Sequence, residues 1–272
     1  MLPTPDSVAL AVAQFAPTTD AAKNLRDMAS LADTAVARGA SLLVFPEYSA
    51  FFEPQIGEAS LAAAEGLDGE FVRGLAALAE RTGVHVVAGM LEATDDPRRF
   101  SNTLVAVDPA GAVVATYRKQ HLYDAFGQRE SDFVLAGSIA EPETFVVGDL
   151  TVGLQTCYDI RFPEVTRTVV DAGADVVAVP AEWVRGPLKE HHWRTLVTAR
   201  AIENTVYVAA ADHAPPIGAG NSMIVDPMGV ELATVGDDTD IAVAWASSAR
   251  IASVRDTNPA LRLRRFTVVP RD

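Results

Sequence analysis

Three side chains suited to be a nucleophile, a base and a cation each follow an apolar run. Cys157, the only cysteine of the chain, follows Leu150–Thr156; Glu47 follows Ser41–Pro46; Lys119 closes the run Ala112–Tyr117. A thiolate is a strong enough nucleophile for an unactivated amide carbonyl. A carboxylate can take the thiol proton. An ammonium beside a cysteine lowers the thiol pKa and stabilises an oxyanion. Each residue also has a plainer role: a small buried hydrophobe, a surface carboxylate and a solvated cation. The aromatics Phe45, Phe51 and Phe52 around Glu47 favour a partly desolvated carboxylate. Tyr158, Asp159 and Arg161 put polar groups where the chain must turn after a buried strand.

Strands and helices alternate along the chain, which would put such residues at strand C-termini, where α/β sheets carry their ligand sites. Ser7–Phe15, Ser41–Phe45, His85–Gly89, Thr103–Val107 and Ala112–Tyr117 read as strands, and Asp20–Arg38 and Gly69–Thr82 as helices. The second half repeats the order: strand signals over Phe145–Thr156, helix Pro163–Ala172, strand Asp175–Val179, helix Glu190–Asn204 and strand Thr205–Ala211. Two pairs of segments look alike. Ala40–Glu47 resembles Ala174–Glu182, and Asn102–Gly111 resembles Asn221–Gly229, each of the latter pair containing an Asp-Pro-x-Gly turn. Two related α/β halves, each sheet covered by helices on one face and by the other sheet on the second, make a four-layer α-β-β-α sandwich. The expectation is a single domain over residues 1–272, with the Arg-rich residues 250–272 as a C-terminal extension.

Composition narrows the function. The 272 residues carry 22 basic and 36 acidic side chains, a formal charge of −14. Such a surface repels phosphate backbones and anionic bilayers, so neither nucleic acid nor membrane is an expected partner. One cysteine allows no intrachain disulfide and no Cys-rich zinc site. The adjacent His191 and His192 point in different directions on a helix, and no metal is expected. The opening Met1–Asp6 lacks a basic region, and no run reaches the about 18 apolar residues of a membrane span. The expected location is the cytoplasm.

Phe45-Pro46-Glu47, Arg118-Lys119-Gln120-His121-Leu122 and Cys157-Tyr158-Asp159-Ile160-Arg161-Phe162-Pro163-Glu164 together resemble the three signature segments of the nitrilase, or carbon–nitrogen hydrolase, superfamily. Trp193–Asn204 and Gly220–Gly229 are also similar, so the likeness runs from about Val8 to about Trp245. The resemblance implies an α-β-β-α sandwich, homodimers or larger assemblies, no cofactor, and a catalytic set of Glu47, Lys119 and Cys157. It implies a supporting second glutamate, matched here by Glu130 with Asp132 nearby. The expected reaction cleaves a non-peptide carbon–nitrogen bond of a small linear amide through a Cys157 thioester, releasing ammonia. The backbone N–H of Tyr158 would share the oxyanion with Lys119.

The segment after Cys157 is more similar to amidase branches than to true nitrilases. An N-carbamoyl amino acid or amine hydrolase is the alternative; a non-catalytic member that binds a ligand or partner is an alternative of another class. A papain-like pair would need His121 or His213 as base. For specificity, Arg161 either holds a substrate carboxylate or pairs with Asp159, Glu164 or another acid. Glu182 and Trp183, at the strand end equivalent to Pro46-Glu47, are expected to line the pocket, where a Glu182 carboxylate would disfavour acidic amides.

Overall fold

The computed structural model describes residues 7–271, so the reading of Met1–Asp6 lies outside the described residues. The first half contains β1 (Val8–Gln14), α1 (Ala21–Ala37), β2 (Leu42–Val44), α2 (Glu58–Ala62), α3 (Glu70–Thr82), β3 (His85–Ala93), β4 (Phe100–Val107) and β5 (Val113–Arg118). The second contains β6 (Thr144–Val147), β7 (Leu150–Leu154), α4 (Pro163–Asp171), β8 (Val176–Pro180), α5 (Lys189–Asn204), β9 (Tyr207–Ala211), β10 (Met223–Val225), β11 (Glu231–Thr234), β12 (Asp240–Ala246) and α6 (Ser248–Thr257).

Two six-stranded sheets form, in the orders β12-β1-β2-β3-β4-β5 and β11-β10-β9-β8-β7-β6. In each, three consecutive strands run parallel, β1-β2-β3 and β7-β8-β9, with antiparallel neighbours on both flanks. The halves therefore correspond strand for strand, and β2 is the counterpart of β8.

Strand alternation builds the layers. Leu10, Val12, Leu42 and Val44 point into a core shared with Val152, Val176 and Ile224 of the other sheet. Their neighbours Ala11, Ala13, Leu43 and Phe45 face α1 and α3, through Met28, Leu75 and Leu78. Val177, Val179 and Val208 face α4 and α5 through Val169, Trp193 and Val197. Strands buried on both faces explain the continuous apolar runs, and the result is the α-β-β-α sandwich.

Helix ends follow local chemistry. The Asp20 carboxylate accepts from Lys23 N–H at 2.9 Å and caps α1, and Gly39, at φ 85°, ends the turn after it. Four segments depart from the pattern read above. Phe145–Thr156 divides into β6 and β7 around Gly148 at φ 62°. β12 and α2 carried no recognised signal; β12 is a sheet-edge strand held by its antiparallel partner β1 and by Arg38, which bonds Ile241 O and Asp240. The Arg-rich segment divides at Asn258: α6 puts Ile251 in the inter-sheet core, and the residues beyond it are largely exposed. Arg250, Arg255 and Arg264 pair with Asp226, Asp175 and Asp171.

Candidate active site

Cys157 ends the run that follows β7. Its φ of 42° lies in the left-handed region, uncommon for a side-chain-bearing residue. A 3-10 turn over Cys157–Arg161 follows at once. Asp159 ties this turn to the lysine segment: its carboxylate accepts from Tyr117 Oη at 2.8 Å and from His121 N–H at 2.9 Å. Arg200 of α5 grips the far side, donating twice to the Ile160 carbonyl at 2.9 and 2.7 Å.

Glu47 is 1% exposed and its carboxylate is fully engaged. Oε1 accepts from Lys119 Nζ at 2.9 Å and Asn102 Nδ2 at 2.6 Å; Oε2 accepts from Glu182 N–H at 2.7 Å. Lys119 bridges to Glu130, whose Oε1 also accepts from Asn102 Nδ2 at 3.1 Å and Tyr48 Oη at 2.8 Å. Glu130 Oε2 takes the Tyr123 N–H at 2.6 Å. A buried ammonium between two carboxylates satisfies the rule that buried charges are paired. The Cys157 thiol donates to the Glu182 carbonyl at 3.5 Å.

Electrostatics follow from this packing. Burial opposes the Lys119 ammonium, but Glu130 and Glu47 outweigh it and hold its pKa well above the usual lysine range. Burial also opposes the Glu130 carboxylate, and Lys119 reverses that to a lowered pKa. Burial and the Glu47 charge push the Cys157 thiol well above its ordinary pKa, exceeding the opposite pull of Lys119. The lysine thus does not leave a resting thiolate, contrary to the lowering expected of a Lys–Cys pair.

These groups open on one cavity of about 680 Å³ lined by Glu47, Lys119, Glu130, Cys157, Tyr158, Glu182 and Trp183, among others. That volume lies within the ordinary range for small-molecule sites. Glu182 supplies its main chain to both Glu47 and Cys157. Burial and Glu47 push its own carboxyl well above the usual range, which favours the neutral acid over the repelling carboxylate expected from sequence. Arg161 is not among the cavity-lining residues. Asp159 is taken by Tyr117 and His121, and the Arg161 guanidinium packs on the Trp183 ring, 4.7 Å from its centroid.

Neither histidine bonds to the thiol. His121 Nδ1 lies 2.8 Å from Asp159, and His213 Nε2 donates to the Glu47 carbonyl at 2.6 Å. Sequence reasoning missed Asn102, Tyr48, Tyr123 and Lys189. Asn102 did head one of the two look-alike segments. Gly89 also matters: a Cβ there would meet Tyr48 N at 2.5 Å and Glu47 Cα at 2.7 Å, so only glycine lets β3 pass the Glu47 turn.

The fold defines a nitrilase-type α-β-β-α sandwich. The chain belongs to the carbon-nitrogen hydrolase family, which it matches over residues 9–256. It is 40% identical over 257 residues to a deaminated glutathione amidase of Escherichia coli O157:H7, covering 94% of this chain and 97% of the relative. A Rattus norvegicus protein of the same name is 33% identical over 272 residues, covering 94% of this chain and 82% of the relative. Among solved structures, a double mutant of the amidase from Nesterenkonia sp. AN1 in complex with acrylamide superposes with a TM-score of 0.80 at 26% identity, covering 97% of both chains. Among the described residues, no helix is long and apolar enough to cross a membrane.

Proposed function

We propose that this carbon–nitrogen hydrolase cleaves a small linear amide through a thioester on Cys157. The observation that carries the reading is the convergence of the Glu47 carboxylate, the Lys119 ammonium and the Cys157 thiol on one cavity. Glu47 takes the thiol proton as the sulfur attacks the carbonyl carbon. The Lys119 ammonium and the Tyr158 N–H hold the oxyanion. Glu47 returns the proton to the departing nitrogen, which leaves as ammonia or an amine. It then deprotonates the water that attacks the thioester and returns that proton to the departing Cys157 sulfur. Glu130 and Asn102 keep Lys119 and Glu47 in place and do not touch the substrate.

The relatives named deaminated glutathione amidase make that compound a first substrate to assay. The test is a panel of deaminated glutathione, primary linear amides, N-carbamoyl compounds and nitriles, read by release of ammonia or amine. Turnover of amides by the wild type, its loss in Cys157→Ala and an acyl adduct on Cys157 by mass spectrometry are expected. Preferential turnover of N-carbamoyl compounds would replace the amide reading. Near wild-type rates in Cys157→Ala would end the thioester mechanism.

A further inference from the structure

Lys189 stands apart from the Glu47–Lys119–Glu130–Cys157 cluster but lines the same cavity. It is the first residue of α5 and only 7% exposed. Its ammonium lies over three rings, 5.0 Å from the Tyr123 centroid, 4.7 Å from Phe126 and 4.9 Å from Trp183. Its hydrogen-bond partner is neutral, the Tyr123 hydroxyl at 3.1 Å. Among the described residues no carboxylate forms an ion pair with it, unlike Lys119, which has two.

A largely buried cation without a counter-ion is costly to keep. The Trp183 ring has a second cation on it, the Arg161 guanidinium, whose buried Nε has no hydrogen-bond partner. Glu182, the acid nearest in sequence to Trp183, is driven toward its neutral form by burial and Glu47. Burial lowers the Lys189 pKa, with Glu182 and Asp212 pulling the other way, and the ammonium is left at the aromatic end of the cavity with no ion-pair partner among the described residues, inside a chain whose formal charge is −14. One Lys189 N–H is used by Tyr123; an ammonium has two more.

We propose that Lys189 is a specificity-determining residue that binds a carboxylate carried by the amide substrate, with the Trp183 ring as the floor of that subsite. The proposal rests on the amide reading above and narrows it to anionic amides. The substrate carboxylate completes the ion pair that the protein lacks, in a desolvated setting where charge-assisted hydrogen bonds are strong. Lys189 touches the distal end of the substrate, and the bond-breaking steps stay with Cys157, Glu47 and Lys119.

Binding to Cys157→Ala separates this proposal from the catalytic one. Calorimetry compares glutaramate, the monoanion, with glutaramide, its neutral isostere. Glutaramate should bind about 10- to 100-fold more tightly. The preference should disappear in Cys157→Ala/Lys189→Met and be retained in part with Lys189→Arg. In the enzyme with Cys157 intact, Lys189→Met should raise KM for the anionic amide at least about 10-fold and leave the neutral one nearly unchanged. Equal binding of the two ligands by Cys157→Ala would overturn the proposal, as would a preference that survives Lys189→Met. Loss of all turnover with the charge preference intact would leave the Lys189 subsite standing and strike only the amidase reading.

Discussion

The Glu182 N–H donates to Glu47 Oε2 at 2.7 Å, joining two residues that follow corresponding strands, β8 and β2, of opposite halves. The Glu182 carbonyl receives the Cys157 thiol. One residue's peptide groups thus hold both the Glu47 carboxylate and the Cys157 thiol, so the site exists only when the sheets are packed face to face.

This arrangement makes thiol reactivity depend on Glu47 in an unusual sense. Because burial and Glu47 raise the thiol pKa, alkylation of Cys157 by iodoacetamide near neutral pH should be slower than that of a free cysteine, and should rise as pH increases. Glu47→Gln removes a raising charge, so it should label faster at a given pH while losing on the order of 100-fold or more in turnover. Lys119→Met should label more slowly. Rates followed by mass spectrometry from pH 6 to 10 decide; slower labelling in Glu47→Gln contradicts the assignment.

Glu182→Gln keeps the main-chain contacts and removes a carboxyl group driven toward its neutral form. The ratio of kcat/KM for acidic over neutral amides should therefore change by less than about 3-fold, a small fraction of what a charged contact is worth. A large rise in that ratio would show that Glu182 is a working carboxylate facing the substrate.

Asn102 donates one amide group to both Glu47 and Glu130. Asn102→Leu leaves buried acceptors short of a donor, costing about 1–3 kcal/mol of stability. It should also lower kcat, by less than the roughly 100-fold or more that loss of the general base itself costs. KM should move little, since Asn102 holds the base and not the ligand. Urea unfolding and steady-state kinetics measure the two effects separately.

Gly89→Ala drives a methyl group to 2.5 Å from Tyr48 N and 2.7 Å from Glu47 Cα, both backbone atoms. The clash has no flexible side chain to absorb it, so a cost of about 1–3 kcal/mol is expected, as for overpacked cores. Turnover should fall further than stability predicts, because the displaced segment carries the base. Unaltered activity in the folded variant would mean that the turn can shift without moving the Glu47 carboxylate.

His213 links acid stability to the site. Burial lowers its pKa from 6.5 to about 4, so the unfolded chain binds the proton first. Its contribution is complete above pH 6.5 and is lost as pH falls toward 4, about 3 kcal/mol in all. His213→Gln should flatten the unfolding free energy between pH 6.5 and 4 by about that amount. Parallel profiles for the two proteins would remove His213 from the acid response.

The layers are legible in the amino-acid pattern alone. Runs such as Val8–Gln14 are apolar at every position because both strand faces are buried, and the repeated strand–helix order is a local pattern. The sequence also located Glu47, Lys119 and Cys157 at strand ends, and the signature segments added Glu130. It did not reveal β12, a sheet-edge strand held by β1 and Arg38. Tertiary structure alone decided the partners of each charge. Glu47 meets Glu182 across 135 positions, Asn102 across 55 and Lys119 across 72. Pairing at such separations is set by sheet packing, which no local pattern encodes. The same holds for protonation: Lys119 alone would lower the Cys157 pKa, but burial and Glu47 exceed it. Lys189 reads locally as one more helix-start lysine, and only the folded chain closes three rings around it.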